Sequence, residues 1–250
     1  MRPRVVTTVM GAHPPGMKIP ADRSDGERRR RLLEAEQRAL SLLDAIEAQG
    51  LIAPGRSEKE VEGDIYDLAS RRFGVDRHWH KRIVRAGRNT LAIAAEDPPV
   101  VTIADNDLVF LDLGPVFGEW EADVGRTYVM GADPDRRRLV RDLETEFETV
   151  RRRFLNDPNI TGAELYAFAC TSARSAGWLF GGKIAGHLVG EHPHALWPGE
   201  TRLGHIRPEN TTRMRDPDAF GRERHWILEI HLVAPDGEFG GFYERLMLPD

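Results

Sequence analysis

With a single cysteine, Cys170, among 250 residues, the sequence excludes any internal disulfide, and a reducing cytoplasm is the compartment it fits most simply. Nothing approaches the roughly eighteen consecutive apolar residues of a membrane span. Met1 to Asp25 lacks the apolar core of a secretory signal. Charge of one sign is also scarce: a formal net charge of −5 argues against nucleic acid or an anionic membrane as a bulk partner. Aromatics are few, yet an apolar fraction of 40% is ordinary for a globular chain, and the length suffices for one large domain. No low-complexity linker or internal repeat divides it. The sequence therefore suggests an irregular arm over 1–25, carrying Pro14-Pro15-Gly16, and a single domain over 26–250. Cys170 falls in a helix-like stretch and reads as a small buried hydrophobe rather than a nucleophile.

What is present begins with helix signals. Ser24 with Glu27 forms a capping-box pattern, followed by Leu32, Ala35, Ala39, Leu42, Leu43 and Ile46 at helical spacing until Gly50. The basic run Arg28 to Arg31 reads as the solvated start of that helix. Ser57 with Glu60 opens a second helix ending near Gly74. Asp133-Pro134 opens a third, which runs to about Phe154. Thr161 with Glu164 opens a fourth, ending near Gly177. Between them, Lys81 to Ala86, Leu108 to Val116, Ala122 to Met130, Trp226 to Ala234 and Phe242 to Leu248 are strand-like. Two helices and strands, then two helices and strands, suggest an α+β domain of two similar halves.

Two hairpins each bring acids together. Asp236-Gly237 is the strongest turn signal in the chain, and a hairpin centred there sets Glu229 directly opposite Glu244, with Cβ atoms roughly 5 Å apart on one face. Gly240-Gly241 leaves room for a bulge in it. Centring the other hairpin on Phe117-Gly118 sets Asp112 opposite Asp123, although a turn that includes Glu119 would shift that register. Carboxylate pairs on apolar strands are costly to bury. A pair of divalent cations would compensate them and lower the pKa of a bound water. His187, within the His-rich run Gly186 to His194, supplies a nitrogen suited to zinc, cobalt or manganese.

Asp112 in Leu111-Asp112-Leu113-Gly114, Asp123 eleven positions on, His187 in Gly-His-x-x-Gly, and the late Glu229 and Glu244 together resemble the family of methionine aminopeptidase, aminopeptidase P, prolidase and creatinase. The likeness covers roughly residues 29–248. It implies the pita-bread fold, two pseudo-symmetric halves whose curved antiparallel sheet is covered by helices. It also implies two divalent metal ions, manganese or cobalt, with zinc or iron as alternatives. Asp112 would bind one ion, Asp123 and Glu244 would bridge, and His187 and Glu229 would complete the other shell. Glu229 would act as general base, and His194, seven residues after His187, would stabilise an oxyanion. The implied activity is an aminopeptidase or dipeptidase, the Xaa-Pro type included, cutting a small peptide or amide by attack of a metal-bound hydroxide.

Departures from that pattern set further expectations. Unless the short arm Met1 to Asp25 replaces it, the separate N-terminal domain of aminopeptidase P, prolidase and creatinase has no counterpart in this sequence, which suggests a compact member. Gly87-Arg88-Asn89 is present, but Thr90 to Asp97 lacks the histidine that usually follows. His80, with His78 as the second choice in His78-Trp79-His80, is the candidate to replace it as a catalytic residue; the alternative is a surface histidine beside a half-buried tryptophan. Glu244 precedes Arg245 rather than an acid, and the short stretch from Glu229 to Glu244 trims the pocket wall. The missing histidine also admits a specialised reaction on a non-peptide small molecule. A non-catalytic binding module would be expected to lose ligands, which this chain keeps. The tail and the exposed residues of the opening helix could serve a homodimer contact. Trp120 and Trp226 read as sheet or pocket-wall residues, His231 as facing the same side as Glu229, His205 and His225 as having no ligand constellation, and His13 as solvated.

Overall fold

Each helix starts at the cap its sequence announces. In the computed structural model, which describes residues 23–193 and 204–248, Ser24 accepts a hydrogen bond from the Glu27 amide at the head of α1 (Asp25–Ala48). Reciprocal capping boxes open α2 (Glu58–Phe73) at Ser57 and Glu60, and α4 (Gly162–Ser175) at Thr161 and Glu164. Asp133 caps α3 (Pro134–Asn156). The expected arm up to residue 22, with His13, and the candidate His194 lie outside the described residues. No described helix is long and apolar enough to cross a membrane.

The helices cover a seven-stranded antiparallel sheet. Its path is β1 (Ile83–Ala86), β2 (Leu108–Leu113), β5 (Val124–Val129), β9 (Gly240–Leu246), β8 (His225–Val233) and β6 (Leu179–Phe180), with β7 (Gly186–Val189) also paired to β8. A small hairpin, β3 (Val116–Phe117) and β4 (Trp120–Glu121), extends from β2 and β5. Strand alternation sorts the side chains. Val109, Leu111 and Leu113 join the core of α1 and α2, while Leu228, Ile230 and Leu232 join that of α3 and α4. Phe110, Asp112, Glu229 and His231 line a cavity on the other face. The two halves meet where β5 pairs with β9, at Gly125 and Glu244.

Several local expectations need correction. Asp112 is paired with Gly125, not Asp123, because the first hairpin turns through Gly118 and Glu119. Gly118 takes a φ of 66°, which an L side chain resists, so the loop is centred one residue later than Phe117-Gly118. A step of one centre moves each partner by two, and two residues along a strand restore the same face. Glu229 and Glu244 are opposite one another as expected, with no bulge at Gly240-Gly241. Their connection, however, is a longer loop in which the Gly237 amide donates to the Ala234 carbonyl and only Gly237 has a positive φ. Arg28 is not solvated. It is 1% exposed, its Nη1 donating to the Glu223 carbonyl at 2.7 Å and its Nε lying 3.5 Å from the Glu191 carboxylate. Cys170 is half-buried rather than fully enclosed.

Glu58, in the first turn of α2, ties the chain that leaves β1. Its buried carboxylate accepts from the Ala86 amide (2.7 Å), from Asn89 Nδ2 (3.1 Å) and from the Val101 amide (3.2 Å). It thereby holds both ends of the 87–101 loop, whose Ala92 to Ala95 segment lines the cavity. Glu58→Ala leaves these buried donors without an acceptor and should cost ~2–4 kcal/mol in urea unfolding. Glu58→Gln, which keeps an acceptor, should lose clearly less. Equal losses for the two variants would show that the carboxylate's acceptor role is not what holds the loop.

Candidate metal centre

Strand pairing lays a row across the sheet: Ile83 beside Asp112, Asp112 beside Gly125, Gly125 beside Glu244, and Glu244 beside Glu229. Directly paired residues point to one face, so three carboxylates lie in line. Gly125 is the gap that lets them converge. A Cβ there would fall 2.6 Å from the Phe242 ring and 3.0 Å from the Glu244 Cβ. Asp123, two residues before Gly125, joins the same face. Asp112, Asp123 and Glu244 are buried, and Glu229 is nearly so.

Two histidines reach the acids from opposite sides of Asp123. His187, on β7, sets Nε2 3.0 Å from Asp123 Oδ2, 3.6 Å from Glu229 Oε1 and 3.7 Å from Glu244 Oε1. His80 sets Nε2 3.1 Å from Asp123 Oδ1 and 3.4 Å from Asp112 Oδ1. Each ring places Nδ1 on the carbonyl of the next residue, His80 on Lys81 (2.7 Å) and His187 on Leu188 (2.8 Å). A carbonyl only accepts, so Nδ1 carries a proton in both rings; the protonated ring donates from Nε2 to Asp123, and loss of that proton would leave an Nε2 lone pair facing the acids. Trp79 packs edge-on against both imidazoles, with ring centroids 4.5 Å from His80 and 5.0 Å from His187. Its indole N–H donates to the Ala122 carbonyl at 3.2 Å.

The protonation pattern describes a site short of positive charge. Burial, reinforced by the Asp123 charge and opposed by His80, raises Asp112 to about 7. Burial likewise raises Glu229 to about 7 against the pull of His187. Glu244 is raised well above the carboxylate range by burial and by the charges of Asp123 and Asp112. Asp123 alone is held low: burial pushes it up, but His80 and His187 together outweigh that. Burial would lower His80, yet Asp123 and Asp112 bring it to about 10. Glu244 Oε2 is buried without a hydrogen-bond partner. Two donor groups, His80 with Asp112 and Asp123, and Asp123 with His187 and Glu244, each gather their ligand atoms within 4.8 Å. Ligands around one ion at ~2.1 Å stand ~3.0–3.4 Å apart at octahedral to tetrahedral angles, which is the spacing about Asp123. The residues fit a pair of cations that share one aspartate.

A sequence profile of metallopeptidase family M24 matches residues 30–230, most of the chain. The chain belongs to metallopeptidase family M24. That family is one of metallopeptidases, whose members use divalent metals. Solved M24-like structures share its fold. Prolidase from Thermococcus sibiricus superposes with a TM-score of 0.66 at 20% identity, over 88% of this chain and 56% of that one. X-Pro aminopeptidase from Thermotoga maritima gives 0.67 at 19% identity, over 90% and 62%. Xaa-Pro dipeptidase from Bacillus anthracis gives 0.65 at 22% identity, over 87% and 56%. The chain therefore spans about three fifths of the length of these relatives, and at such identities the likeness establishes the pita-bread fold alone. No curated protein sequence matches the chain significantly.

Against the M24 pattern, the structure gathers Asp112, Asp123, His187, Glu229 and Glu244 as the sequence suggested, and brings His80 among them. Where the family's other histidine is expected, Ala92, Ile93, Ala94 and Ala95 line a cavity of about 240 Å³ that opens onto Asp112 and Glu229. His231 lines the same cavity, its Nε2 2.8 Å from the Thr90 carbonyl. Sequence reading missed Trp79 as the wedge between the histidines and Gly125 as the gap between the acids; a glycine opposite one paired acid and beside another was the available signal. Gly125→Ala should keep the native circular dichroism but spread the row, so that manganese raises the melting temperature far less than in the wild type. An unchanged manganese-induced rise would contradict the role given to this gap.

Proposed function

We propose that the chain is a dinuclear metal-dependent aminopeptidase or dipeptidase acting on small peptides, with residues 26–250 as its catalytic unit. The observation that carries this reading is the convergence of four carboxylates and two imidazoles at the edge of an apolar cavity, in an M24 chain. In this reading Asp112, Asp123, His187, Glu229 and Glu244 would hold the two ions. Manganese or cobalt suits such a mixed oxygen and nitrogen set, with zinc or iron as alternatives. Bound there, the ions supply charge neutralisation and the Lewis acidity that brings the ionisation of water toward neutral pH.

The chain's own groups do the rest. Glu229 belongs both to the carboxylate row and to the cavity lining, so its carboxylate can accept a proton from water at the reacting carbonyl and return it to the leaving amine. Ile83, Ile93, Phe110 and Phe242 give the cavity an apolar wall that orients a side chain and excludes water. Lys183, exposed at its rim, is the basic side chain among the described lining residues and suits the terminal carboxylate of a dipeptide. The names of the prolidase and Xaa-Pro relatives support proline as the second residue. His194 remains our candidate for oxyanion stabilisation. The alanine-rich loop, which offers a substrate no imidazole, favours a second reading: a specialised reaction on a non-peptide small molecule.

Manganese- or cobalt-loaded protein should remove N-terminal residues from a dipeptide and tripeptide library, as read by mass spectrometry, and a chelator should abolish this. Glu229→Gln should lower kcat ~10²–10⁴-fold. Cleavage that survives complete chelation would end the metallopeptidase reading. No cleavage with metal demonstrably bound would move the assignment to the non-peptide substrate.

A further inference from the structure

The cluster contains one more donor than the five-residue set accounts for. We propose that His80 is a sixth metal ligand, joining Asp112 and Asp123 around the first ion so that each of the two ions is held by one imidazole. This rests on the dinuclear reading above and specifies its first site.

The geometry around Asp123 carries the inference. Its two oxygens face two imidazole Nε2 atoms at nearly equal distances, Oδ1 to His80 at 3.1 Å and Oδ2 to His187 at 3.0 Å. Both separations match neighbouring ligands on one ion. Both rings are fixed in the tautomer a ligand requires, with Nδ1 donating to a backbone carbonyl. Both are wedged by the same indole. An imidazole serving only to contact substrate would need a free donor directed into the cavity, and His80 does not line that cavity.

The chain makes room for His80 at a specific point. The Trp79 amide donates to the Gly114 carbonyl at 2.9 Å, which runs residues 78–80 alongside the end of β2. A Cβ on Gly114 would run into the His80 ring and reach the Trp79 indole nitrogen. Gly114 thus admits the imidazole to a space that any other side chain would fill. With nitrogen in both shells, the pair of sites should favour borderline ions such as cobalt over magnesium or calcium.

Stepwise cobalt titration of the whole protein tests this without an activity assay. Calorimetry gives the number of ions bound, and proton NMR of the cobalt-loaded protein reports each coordinated imidazole as one strongly shifted, exchangeable Nδ1–H signal. Two ions and two such signals are expected, with His80→Ala removing one signal and His187→Ala the other. His80→Ala should weaken one cobalt site at least ~10-fold, and Gly114→Ala, which keeps the imidazole but closes its space, should do the same. Two bound ions with a single shifted signal, lost in His187→Ala, would overturn the sixth ligand and leave the dinuclear reading intact. Failure of the wild type to bind cobalt would overturn both, and the wild-type spectrum decides the matter even if a variant fails to fold.

Discussion

Mutual repulsion among four carboxylates on one sheet face is the constraint around which this structure is arranged. Two like charges ~5 Å apart at an effective dielectric of ~20 repel by ~3 kcal/mol. Several such pairs among Asp112, Asp123, Glu229 and Glu244 rival the ~5–15 kcal/mol by which a domain is ordinarily stable. Strand pairing nevertheless sets Glu229 against Glu244 with no displacement of the register. The acids can share a face only if protons or cations compensate them. The raised carboxyls of Asp112, Glu229 and Glu244 are the proton-compensated form of the same cluster. Ions would replace those protons, which makes metal affinity and proton binding two descriptions of one demand.

The scaffold answers that demand through what it leaves out as well as what it places. Gly125 removes a side chain at the seam between the halves, and Gly114 removes one where the 78–80 segment crosses β2. Around these gaps the side chains are tightly specified. Trp79 contacts both imidazoles and is itself tied to the Ala122 carbonyl, so one indole couples the orientation of residues more than a hundred positions apart. Behind the sheet, two separate hydrophobic cores hold the two halves, each under its own pair of helices. The cluster of carboxylates and imidazoles lies at their junction, where a shift of one half against the other would alter its spacing.

Much of this was legible in the sequence because it follows from short-range rules. The caps at Ser24, Ser57, Asp133 and Thr161 each start a helix, and Asp236-Gly237 centres the hairpin that pairs Glu229 with Glu244. The first hairpin was misplaced by one turn position, yet its acids kept their common face, because strand parity survives a shift of two residues. His80 was legible only as a candidate. Its approach to Asp112 and Asp123 depends on a crossing at Gly114 that no local pattern specifies. Arg28 failed for a related reason: a basic run beside helix-forming residues looks solvated until the Glu223 carbonyl and Glu191, both distant in sequence, come down on it.

The loop at 92–95 bears on how the site selects what it acts upon. A histidine there would offer a polar group opposite the carboxylate cluster. Alanine and isoleucine offer only contact area, and the neighbouring Phe110, Phe242 and Ile83 extend that apolar surface. Polar groups reach the cavity from elsewhere: from Asp112 and Glu229 at one side, from His231 in its wall and from Lys183 at the rim. Glu58 fixes the apolar loop by anchoring it at both of its ends. With no imidazole in that loop, the wall it presents beside Asp112 and Glu229 is apolar, and the polar contacts open to a ligand are those of the other lining side chains.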